Sequence, residues 1–421
     1  MKRLGRIITG SFAAALLSTG APCTVWAQDV AVRGEQVWTM GPQGVIADGV
    51  VVIEDGAISA VGPASSVTIP ANMRVMEAAI VTPGLIDAHS TVGLTGYLNQ
   101  PDDQDQLDST SPVQPHLRAI DAYNPHDRLV QWVRELGTTT LHTGHGPGAL
   151  VSGQTMVVKT RGNTVDAALV EDGTMIVANL GAWALDREGS PGTRAKQMAM
   201  LRQALVAPQN LGEVDGNENE DADEGRGNYG EPGDGRDLVK EAFASVIRGE
   251  RPLLITAHRA QDIQSALRLA EEFDIDVLID GAADAHMMLD ELREAGVSVI
   301  LHPTMARNEG ELENAAFTTA AVLAEAGIPF ALQSAYEAYV PKTRVVLWEA
   351  GFAAGNGLAR EDALASITID AARIIGMDDR IGSLEVGKHG DVALFDGDPF
   401  EYTSHVTGVV IEGEIVSNAV R

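Results

Sequence analysis

LREAGVSVILHP, residues 292–303, shows how the central part of the chain is organised: a helix-like segment ends at Glu-Ala-Gly and a short β-branched, apolar run follows. Two further stretches repeat this order, VRELGTTTLHTG at 133–144 and LAEAGIPFALQS at 323–334. Glycine after a helix accepts the left-handed conformation that ends it, and apolar runs suit strands covered on both faces. A repeated order of helix and strand predicts a parallel sheet.

Eight apolar runs are candidate strands of this sheet. They lie at 81–86, 138–142, 155–160, 174–178, 253–257, 276–280, 297–301 and 329–333. Eight parallel strands alternating with helices favour an α/β fold of the (β/α)8 TIM-type barrel over an open doubly wound sheet. The first strand is not followed by the GxGxxG turn of dinucleotide-binding folds, which also favours the barrel.

The two ends of the chain predict a second domain. Residues 28–80 and 385–421 contain short β runs broken by Gly, Asp and Pro. Together they would form a small composite β-sandwich domain, which assigns 81–384 to the barrel. Residues 209–237 hold ten acids against two arginines, which predicts a disordered acidic insertion within the barrel. A calcium loop is the alternative, but its ligand spacing is absent.

The first 27 residues have the layout of a secretory signal peptide, with a basic start, an apolar stretch and small residues before Ala27. Cleavage near Ala27 predicts an exported protein, periplasmic or secreted. The apolar stretch is too short for a membrane span, and the residues before Cys23 do not suit a lipid anchor. Residues 1–27 carry Lys2, Arg3 and Arg6 and no acidic residue, so their removal would change the net charge from −29 to −32. Such a negative charge disfavours nucleic acid and anionic membranes as partners.

Several chemically active side chains fall at predicted strand ends, where the active sites of such barrels lie. The histidines are His89, His142, His258 and His302, and His145 follows His142 by three residues. The other strand-end residues are Lys159, Asp280 and Ser334. Imidazole nitrogen binds transition metals at roughly 2.0–2.1 Å, so neighbouring strands could share one ion. For each histidine, packing or hydrogen bonding to a loop is the alternative.

Several separated motifs resemble the amidohydrolase superfamily, and the exported imidazolonepropionase-like proteins in particular. They are PGLIDAH (83–89), RAIDAYNPHD (118–127), AHRAQDI (257–263), IPFALQS (328–334) and GSLEVGKHGDVALFDGDP (382–399). The resemblance implies a barrel with a composite β domain, and metal-assisted hydrolysis of carbon–nitrogen bonds in amides, cyclic amides, ureas or dipeptide-like compounds. A divalent ion, zinc first among the candidates, would polarise the carbonyl, and an aspartate would move the proton.

The metal positions implied by the resemblance are only partly filled. They fall on His89, Thr91, His258, Gly281 and Ala335, so two ligands remain and the aspartate is lost. A catalytic zinc needs three protein ligands, so the inherited mechanism requires replacements. The candidates for replacement are His142, His145, Asp280 and a carboxylated Lys159. The residues expected to line the substrate pocket are Thr91, Gly281, His302, Ser334 and Ala335.

Two functions follow from these observations. The first is a hydrolase that acts on carbon–nitrogen bonds of a small molecule, with Asp280 as the candidate catalytic group. The second is an inactive pseudoenzyme that binds a small molecule or a paralogous subunit, and a homo-oligomer is compatible with either. A metal-free hydrolase with Ser334 or Ser152 as nucleophile is disfavoured, because neither serine lies in a nucleophile-elbow sequence.

Overall fold

The computed structural model describes residues 29–98, 100–208, 237–305, 308–335 and 345–421. The predicted signal peptide and, apart from Asp237, the predicted acidic insertion lie outside these ranges. Within them, no helix is both long enough and apolar enough to cross a membrane. The strands are β1 (Val30–Trp38), β2 (Val45–Glu54), β3 (Ala57–Pro63), β4 (Arg74–Pro83), β5 (Leu85–Ser90), β6 (Thr138–Thr143), β7 (Val151–Gln154), β8 (Met156–Lys159), β9 (Leu169–Glu171), β10 (Ile176–Asn179), β11 (Leu253–Ala257), β12 (Val277–Gly281), β13 (Val299–Leu301), β14 (Phe330–Leu332), β15 (Val392–Phe395), β16 (Val406–Ile411) and β17 (Glu414–Ser417). The α-helices are α1 (Arg128–Glu135), α2 (Val165–Ala168), α3 (Arg194–Val206), α4 (Leu238–Ile247), α5 (Ala260–Phe273), α6 (Leu289–Ala295), α7 (Thr319–Glu325), α8 (Val346–Gly355), α9 (Arg360–Ala365) and α10 (Ile369–Ile374).

Strands from both ends of the chain share one sheet, in the order β17-β16-β15-β4-β1-β2-β3. β4 is the junction, because it pairs parallel with β1 and antiparallel with β15. One face of the sheet buries an apolar cluster that includes Val32, Val51, Val81 and Leu394. The two terminal segments therefore combine as expected. The predicted sandwich is corrected in one respect: hydrogen bonding joins all seven strands into a single sheet.

The central strands form two sheets, β14-β13-β12-β11-β10-β7 and β5-β6-β8-β9. The run from β10 to β14 is parallel throughout, and so is the β5–β6 pair. The two sheets meet where Ser90 and Ala335 form a parallel bridge and the Ala335 N–H donates to the His89 carbonyl at 3.1 Å. The strand pairing thus has parts of the predicted barrel, but it does not by itself close an eight-stranded ring.

An apolar cluster lies where alternate residues of these strands face one another. Its strand members are Ile86, Ala88, Val157, Val177, Leu254, Leu278, Ile300 and Ala331. Successive strand residues point to opposite faces, so the residue two positions further along faces the same way. For the four parallel strands β11 to β14, each of those next residues is polar: Thr256, Asp280, His302 and Gln333. The carboxyl ends of four parallel strands therefore place polar side chains above an apolar core.

The third predicted strand, 155–160, was expected to run parallel to its neighbours, and this is wrong. β8 pairs antiparallel with β6, with Lys159 opposite Thr140. The connection from β6 to β8, residues 144–155, contains β7 but no helix, so the chain returns beside β6 without the crossover helix that usually joins parallel neighbours. Lys159 therefore lies at the end opposite the predicted rim. There its buried ammonium contacts the Asp391 carboxylate and donates to Thr140 Oγ1 at 3.1 Å.

The first predicted strand, 81–86, is divided between two sheets. Residues up to Pro83 belong to β4, and the central strand begins at Leu85. Gly84 separates them, and a Cβ at that position would lie 2.2 Å from Thr139 Oγ1. The close approach of β6 requires glycine there. The expected domain boundary at 80/81 accordingly moves to Gly84, and β5 reaches Ser90, which brings His89 into the strand.

Candidate active site

A cavity of about 370 Å³ opens at the carboxyl ends of the central strands. Its lining residues are His89, Ser90, Thr91, Gly146, Pro147, Trp183, Thr256, His258, Asp280, Gly281, His302, Pro303, Leu312, Gln333 and Ala335. Most of the predicted site residues thus meet in one place, including both histidines at the implied metal positions. Four predicted residues, His142, His145, Lys159 and Ser334, are not in the lining.

His89 and Asp280 form a buried ion pair across the sheet seam. Asp280 Oδ1 accepts from His89 Nδ1 at 3.0 Å and from Gln333 Nε2 at 2.6 Å, and its Oδ2 accepts from Thr256 Oγ1 at 2.7 Å. Burial alone would raise the pKa of Asp280, but the His89 charge and these three donors lower it to about 2. Burial would likewise lower the pKa of His89, and Asp280 overcomes that effect and raises it.

The second ring nitrogen of His89 faces a different environment. The residue is 4% exposed and lines the cavity, and its Nε2 has no hydrogen-bond partner among the described residues. With Nδ1 held by Asp280, the charged ring carries an N–H at Nε2. A buried donor without a partner costs about 1–3 kcal/mol, so an acceptor on a bound molecule would stabilise it.

His258 follows β11 and differs from His89 in its charge state. Burial is the main reason that its pKa falls to about 4, which leaves the ring neutral at pH 7. Its Nδ1 also lacks a hydrogen-bond partner within the part of the chain that the structure describes. The Trp183 ring packs edge-on against it, with the ring centroids 4.6 Å apart. His89 and His258 thus bring one charged and one neutral imidazole to the cavity, which His302 also lines.

Gly281 makes room for the His258 ring. A Cβ on Gly281 would lie 2.5 Å from His258 Cε1, and its φ of +79° is one that side chains rarely adopt. The ring of His258 thus fills the space above the position where the resemblance implied a further ligand. This contact leaves no space for a side chain at the sixth-strand position.

We expect Gly281→Ala to displace His258 and to lower the free energy of unfolding by about 1–3 kcal/mol, the usual cost of a strained backbone position. Gly296→Ala is the matched control, because Gly296 has a φ of +65° and nothing within 4 Å of the added Cβ. Urea denaturation of both variants separates the two effects. Equal losses of stability would contradict the contact with His258.

His142 lies behind His89 and is not a free ligand, which corrects its candidate role. Its Nδ1–H donates to the Ala88 carbonyl at 2.7 Å, which makes Nε2 the acceptor nitrogen. Nε2 accepts hydrogen bonds from the hydroxyls of Thr155 at 2.7 Å and Thr174 at 3.0 Å. Burial, with the nearby His89 charge, lowers the pKa of His142 to about 3. The ring is neutral with both nitrogens bonded, and its centroid lies 6.0 Å from that of His89.

His145 and Ser334 are also displaced from their expected places. The His145 ring packs on Gly153, where a Cβ would lie 2.2 Å from His145 Cδ2. The Ser334 backbone N–H and hydroxyl both donate to Asp87, at 2.9 and 2.5 Å. Ser334 points away from the cavity because successive side chains along this segment alternate in direction and Gln333 points toward the cavity. Neither residue therefore joins His89.

Sequence reasoning missed several lining residues. Gln333 and Thr256 were predictable in principle, because each lies two positions after an apolar interior residue of its own strand. Trp183, Pro147 and Leu312 come from loops, and no local sequence signal connects them to the cavity. These three provide the apolar side of the site.

The donor set of the cavity does not fit a catalytic metal ion. Among the described residues, no group of three or more His, Cys, Asp or Glu side chains is arranged to hold one. The Thr91 hydroxyl already accepts from Thr95 Oγ1 at 2.9 Å, Gly281 and Ala335 offer no side-chain donor, and Asp280 is engaged by three groups. His89 Nε2, the His258 ring and His302 are the remaining imidazole donors of the lining, and they are not arranged as the three-ligand group that catalytic zinc requires.

Sequence comparisons connect the chain to known hydrolases. A model of the amidohydrolase family matches residues 262–417. Amidohydrolase tasK of Hapsidospora irregularis is 24% identical over 440 residues, which cover 95% of this chain and 42% of the relative. The imidazolonepropionase of Syntrophobacter fumaroxidans is 34% identical over 110 residues, 26% of this chain and 25% of the relative. The chain thus covers less than half of the length of these two relatives. The imidazolonepropionase of Solibacter usitatus is 24% identical, covering 86% of this chain and 88% of the relative.

Solved structures extend the comparison to the fold. An amidohydrolase from Thermotoga maritima matches with a TM-score of 0.82 and 27% identity, over 93% of this chain and 100% of the other. An adenosine deaminase from Xanthomonas campestris with bound zinc matches with a TM-score of 0.55 at 16% identity, over 92% of each chain, which is a similarity of fold alone. These neighbours imply a TIM-type barrel with an additional domain.

Proposed function

We propose that the chain hydrolyses a carbon–nitrogen bond of a small amide or cyclic amide in the cavity that His89 and His258 line. The chain belongs to the amidohydrolase superfamily and is imidazolonepropionase-like. Family membership supports a hydrolase. The type of bond and the residues that act on it are inferred here from the cavity.

One observation carries the proposal: two imidazoles with unpartnered, buried ring nitrogens line the same cavity. Amide hydrolysis needs a donor to the carbonyl oxygen and a base for the attacking water. His89 is suited to the first role because Asp280 fixes Nδ1 and leaves the Nε2–H as a donor. His258 is suited to the second role because its ring is neutral. Environments that separate two pKa values commonly mark an acid and a base.

The reaction proceeds in two steps. His258 accepts a proton from water while the oxygen of that water bonds to the carbonyl carbon, and the developing charge on the carbonyl oxygen is held by His89 Nε2–H. The carbon–nitrogen bond then breaks and His258 returns the proton to the leaving nitrogen. The products are a carboxylic acid and an amine, or one open-chain molecule from a cyclic amide.

The cavity limits the substrate. A volume of about 370 Å³ is at the small end of the range for ligand pockets. Trp183, Pro147 and Leu312 offer an apolar wall opposite the polar groups. No lysine or arginine stands among the described lining residues, so apart from the His89 donor the binding of substrate would use shape and neutral hydrogen bonds. A compact, flat amide fits these conditions.

The proposal is tested with the full chain and a panel of small open-chain and cyclic amides, followed by release of amine or by ring opening. His258→Gln should lower kcat by about 100- to 10,000-fold, the usual contribution of a general base. His405→Gln is the control, since His405 is a half-exposed histidine that pairs with Asp396 outside the cavity. Circular dichroism shows whether each variant is folded.

Two results would count against the proposal. The first is a panel in which no amide is cleaved faster than in buffer. The second is turnover that His258→Gln leaves unchanged. Saturable binding of amides without turnover would instead support a non-catalytic binding protein.

A further inference from the structure

Trp183 is a cavity residue that the proposed reaction does not use. It packs edge-on against the ring of His258, lines the cavity and is nevertheless 46% exposed. We propose that Trp183 packs against an aromatic or similarly flat, apolar ring of the substrate and so determines which amides bind. An ionic cluster of Arg194, Asp262 and Glu311 holds its segment in position. The inference rests on the proposed function for the amide character of the ligand, but it concerns binding and not turnover.

The exposure of Trp183 is the first reason. A large aromatic side chain that borders both a cavity and solvent leaves apolar surface for a ligand to cover. Pro147 and Leu312 extend this surface along the cavity. Aromatic rings pack well against one another in offset or edge-on arrangements, with centroids about 4.5–7 Å apart. A flat ring on the substrate therefore suits Trp183 better than a puckered ring of the same size.

The backbone of the segment that carries Trp183 is held in one conformation, which is the second reason. The side chain of the fully buried Gln197 accepts from the Gly181 N–H at 3.2 Å and donates to the Gly181 carbonyl at 2.9 Å. Gly181 has a φ of +89°, and a Cβ there would lie 2.4 Å from Glu311 Oε2. Trp183 follows in a single 3-10 turn, residues 182–184. This segment thus packs directly against the Glu311 carboxylate.

Arg194 connects that carboxylate to a second one. Its Nε donates to both carboxylate oxygens of Asp262, at 2.8 and 3.0 Å, and its Nη2 donates to both oxygens of Glu311, at 2.9 and 3.0 Å. The side chains of Asp262 and Glu311 are only 4% and 8% exposed, and charge-assisted pairs of this kind fix geometry well. Asp262 belongs to α5, and Glu311 precedes Leu312. One guanidinium therefore links α5 to the segments that carry Trp183 and Leu312.

Arg194 is a positioning residue in this arrangement, because it does not line the cavity and acts through Trp183 and Leu312. Without it, the buried carboxylates of Asp262 and Glu311 would lose the cation that they share. Both segments of the apolar wall should then become less well ordered. The expected consequence is a loss of selectivity in binding, with a smaller effect on the chemical step.

The experiment measures the binding of two amides of similar size to the full chain by isothermal titration calorimetry. Benzamide has a flat ring and cyclohexanecarboxamide a puckered one, and the ratio of their dissociation constants gives the ring preference. We expect Trp183→Leu to lower the preference for benzamide by about 2- to 10-fold, the usual effect of an aromatic pair. Trp348→Leu is the matched control, since Trp348 is 40% exposed but lies outside the cavity lining. It should leave the ratio unchanged.

Arg194→Gln tests the ionic cluster in the same assay. We expect it to lower the preference for benzamide, and to raise KM more than it lowers kcat for an amide that the chain cleaves. Arg202→Gln is its control, because Arg202 lies on the same helix, α3, and pairs with the exposed Glu272. That variant should keep the native preference. Circular dichroism shows whether each variant is folded.

An unchanged ratio in Trp183→Leu or in Arg194→Gln would overturn the inference, and so would a lack of measurable benzamide binding to the native chain. Hydrolysis is measured separately. A chain that selects benzamide through Trp183 but cleaves no amide removes only the proposed function. A chain that cleaves amides, and whose Trp183→Leu variant keeps the native ring preference, removes only the present inference.

Discussion

Asp280→Asn is expected to lower kcat by about 100- to 10,000-fold, the range typical of a lost acid–base partner. The substitution keeps the size of the side chain but removes its charge. Burial then acts on His89 with only Asp87 left to favour the charged ring, so the pKa of His89 falls and the neutral ring is favoured at pH 7. The asparagine also presents an amide NH₂ toward groups that donate to the carboxylate in the native chain. Substrate affinity should change less than turnover, because Asp280 acts through His89.

Asp391→Asn is the matched control for that prediction. Asp391 is also buried and paired with a cation, Lys159, but it lies at the opposite end of the central strands. Its replacement should reduce stability without lowering kcat per folded molecule. Steady-state kinetics on both variants, with the folded fraction measured by circular dichroism, make the comparison. A kcat within about threefold of the native value in Asp280→Asn would contradict the role given to the pair.

Lys159→Met is expected to lower the free energy of unfolding by about 3–5 kcal/mol, the usual loss when one member of a buried ion pair is removed. The side chains of Lys159 and Asp391 are 2% and 6% exposed, so water cannot solvate the carboxylate that remains. The pair joins β8 to the segment that precedes β15, and the loss should weaken the attachment of the seven-stranded sheet. Urea denaturation followed by tryptophan fluorescence measures it.

Lys159→Met/Asp391→Leu provides the control for this second prediction. With both charges gone, most of the lost stability should return, because replacing a buried pair by apolar groups is often close to neutral. The Asp391 carboxylate also accepts from the Glu412 N–H, so recovery is expected to be incomplete. A single variant that loses less than about 1 kcal/mol would show that the pair is solvated, as exposed pairs are.

Local patterns predicted most of the central strands and the meeting of His89 with His258. The glycine-terminated helices and apolar runs depend on neighbours in sequence, and so can be recognised from it. The direction of β8 could not be predicted in this way, because an apolar strand looks the same in either direction. That one reversal removed Lys159 from the rim. The partners of His142 come from Ala88, Thr155 and Thr174, which only the folded chain brings together.

Strand alternation separates the site residues that were predicted well from those that were not. Asp280 shares a face with Leu278 and enters the cavity, whereas Ser334 is one position out of phase and Gln333 takes its place. Counting two positions from each apolar interior residue would have identified Gln333 and Thr256. His89 is out of phase with Ile86 and Ala88, and the pairing register shifts between Asp87 and Ser90. Such an irregularity has no signature in the sequence.

The protonation state of His89 tests the central claim most directly, and ¹⁵N NMR of the full chain with labelled histidine measures it at pH 7. We predict that both ring nitrogens of His89 carry a proton, that His258 has one unprotonated nitrogen, and that the His89 Nδ1–H signal is lost in Asp280→Asn. A neutral His89 in the native chain, with Nε2 unprotonated or bound to a metal ion, would contradict it.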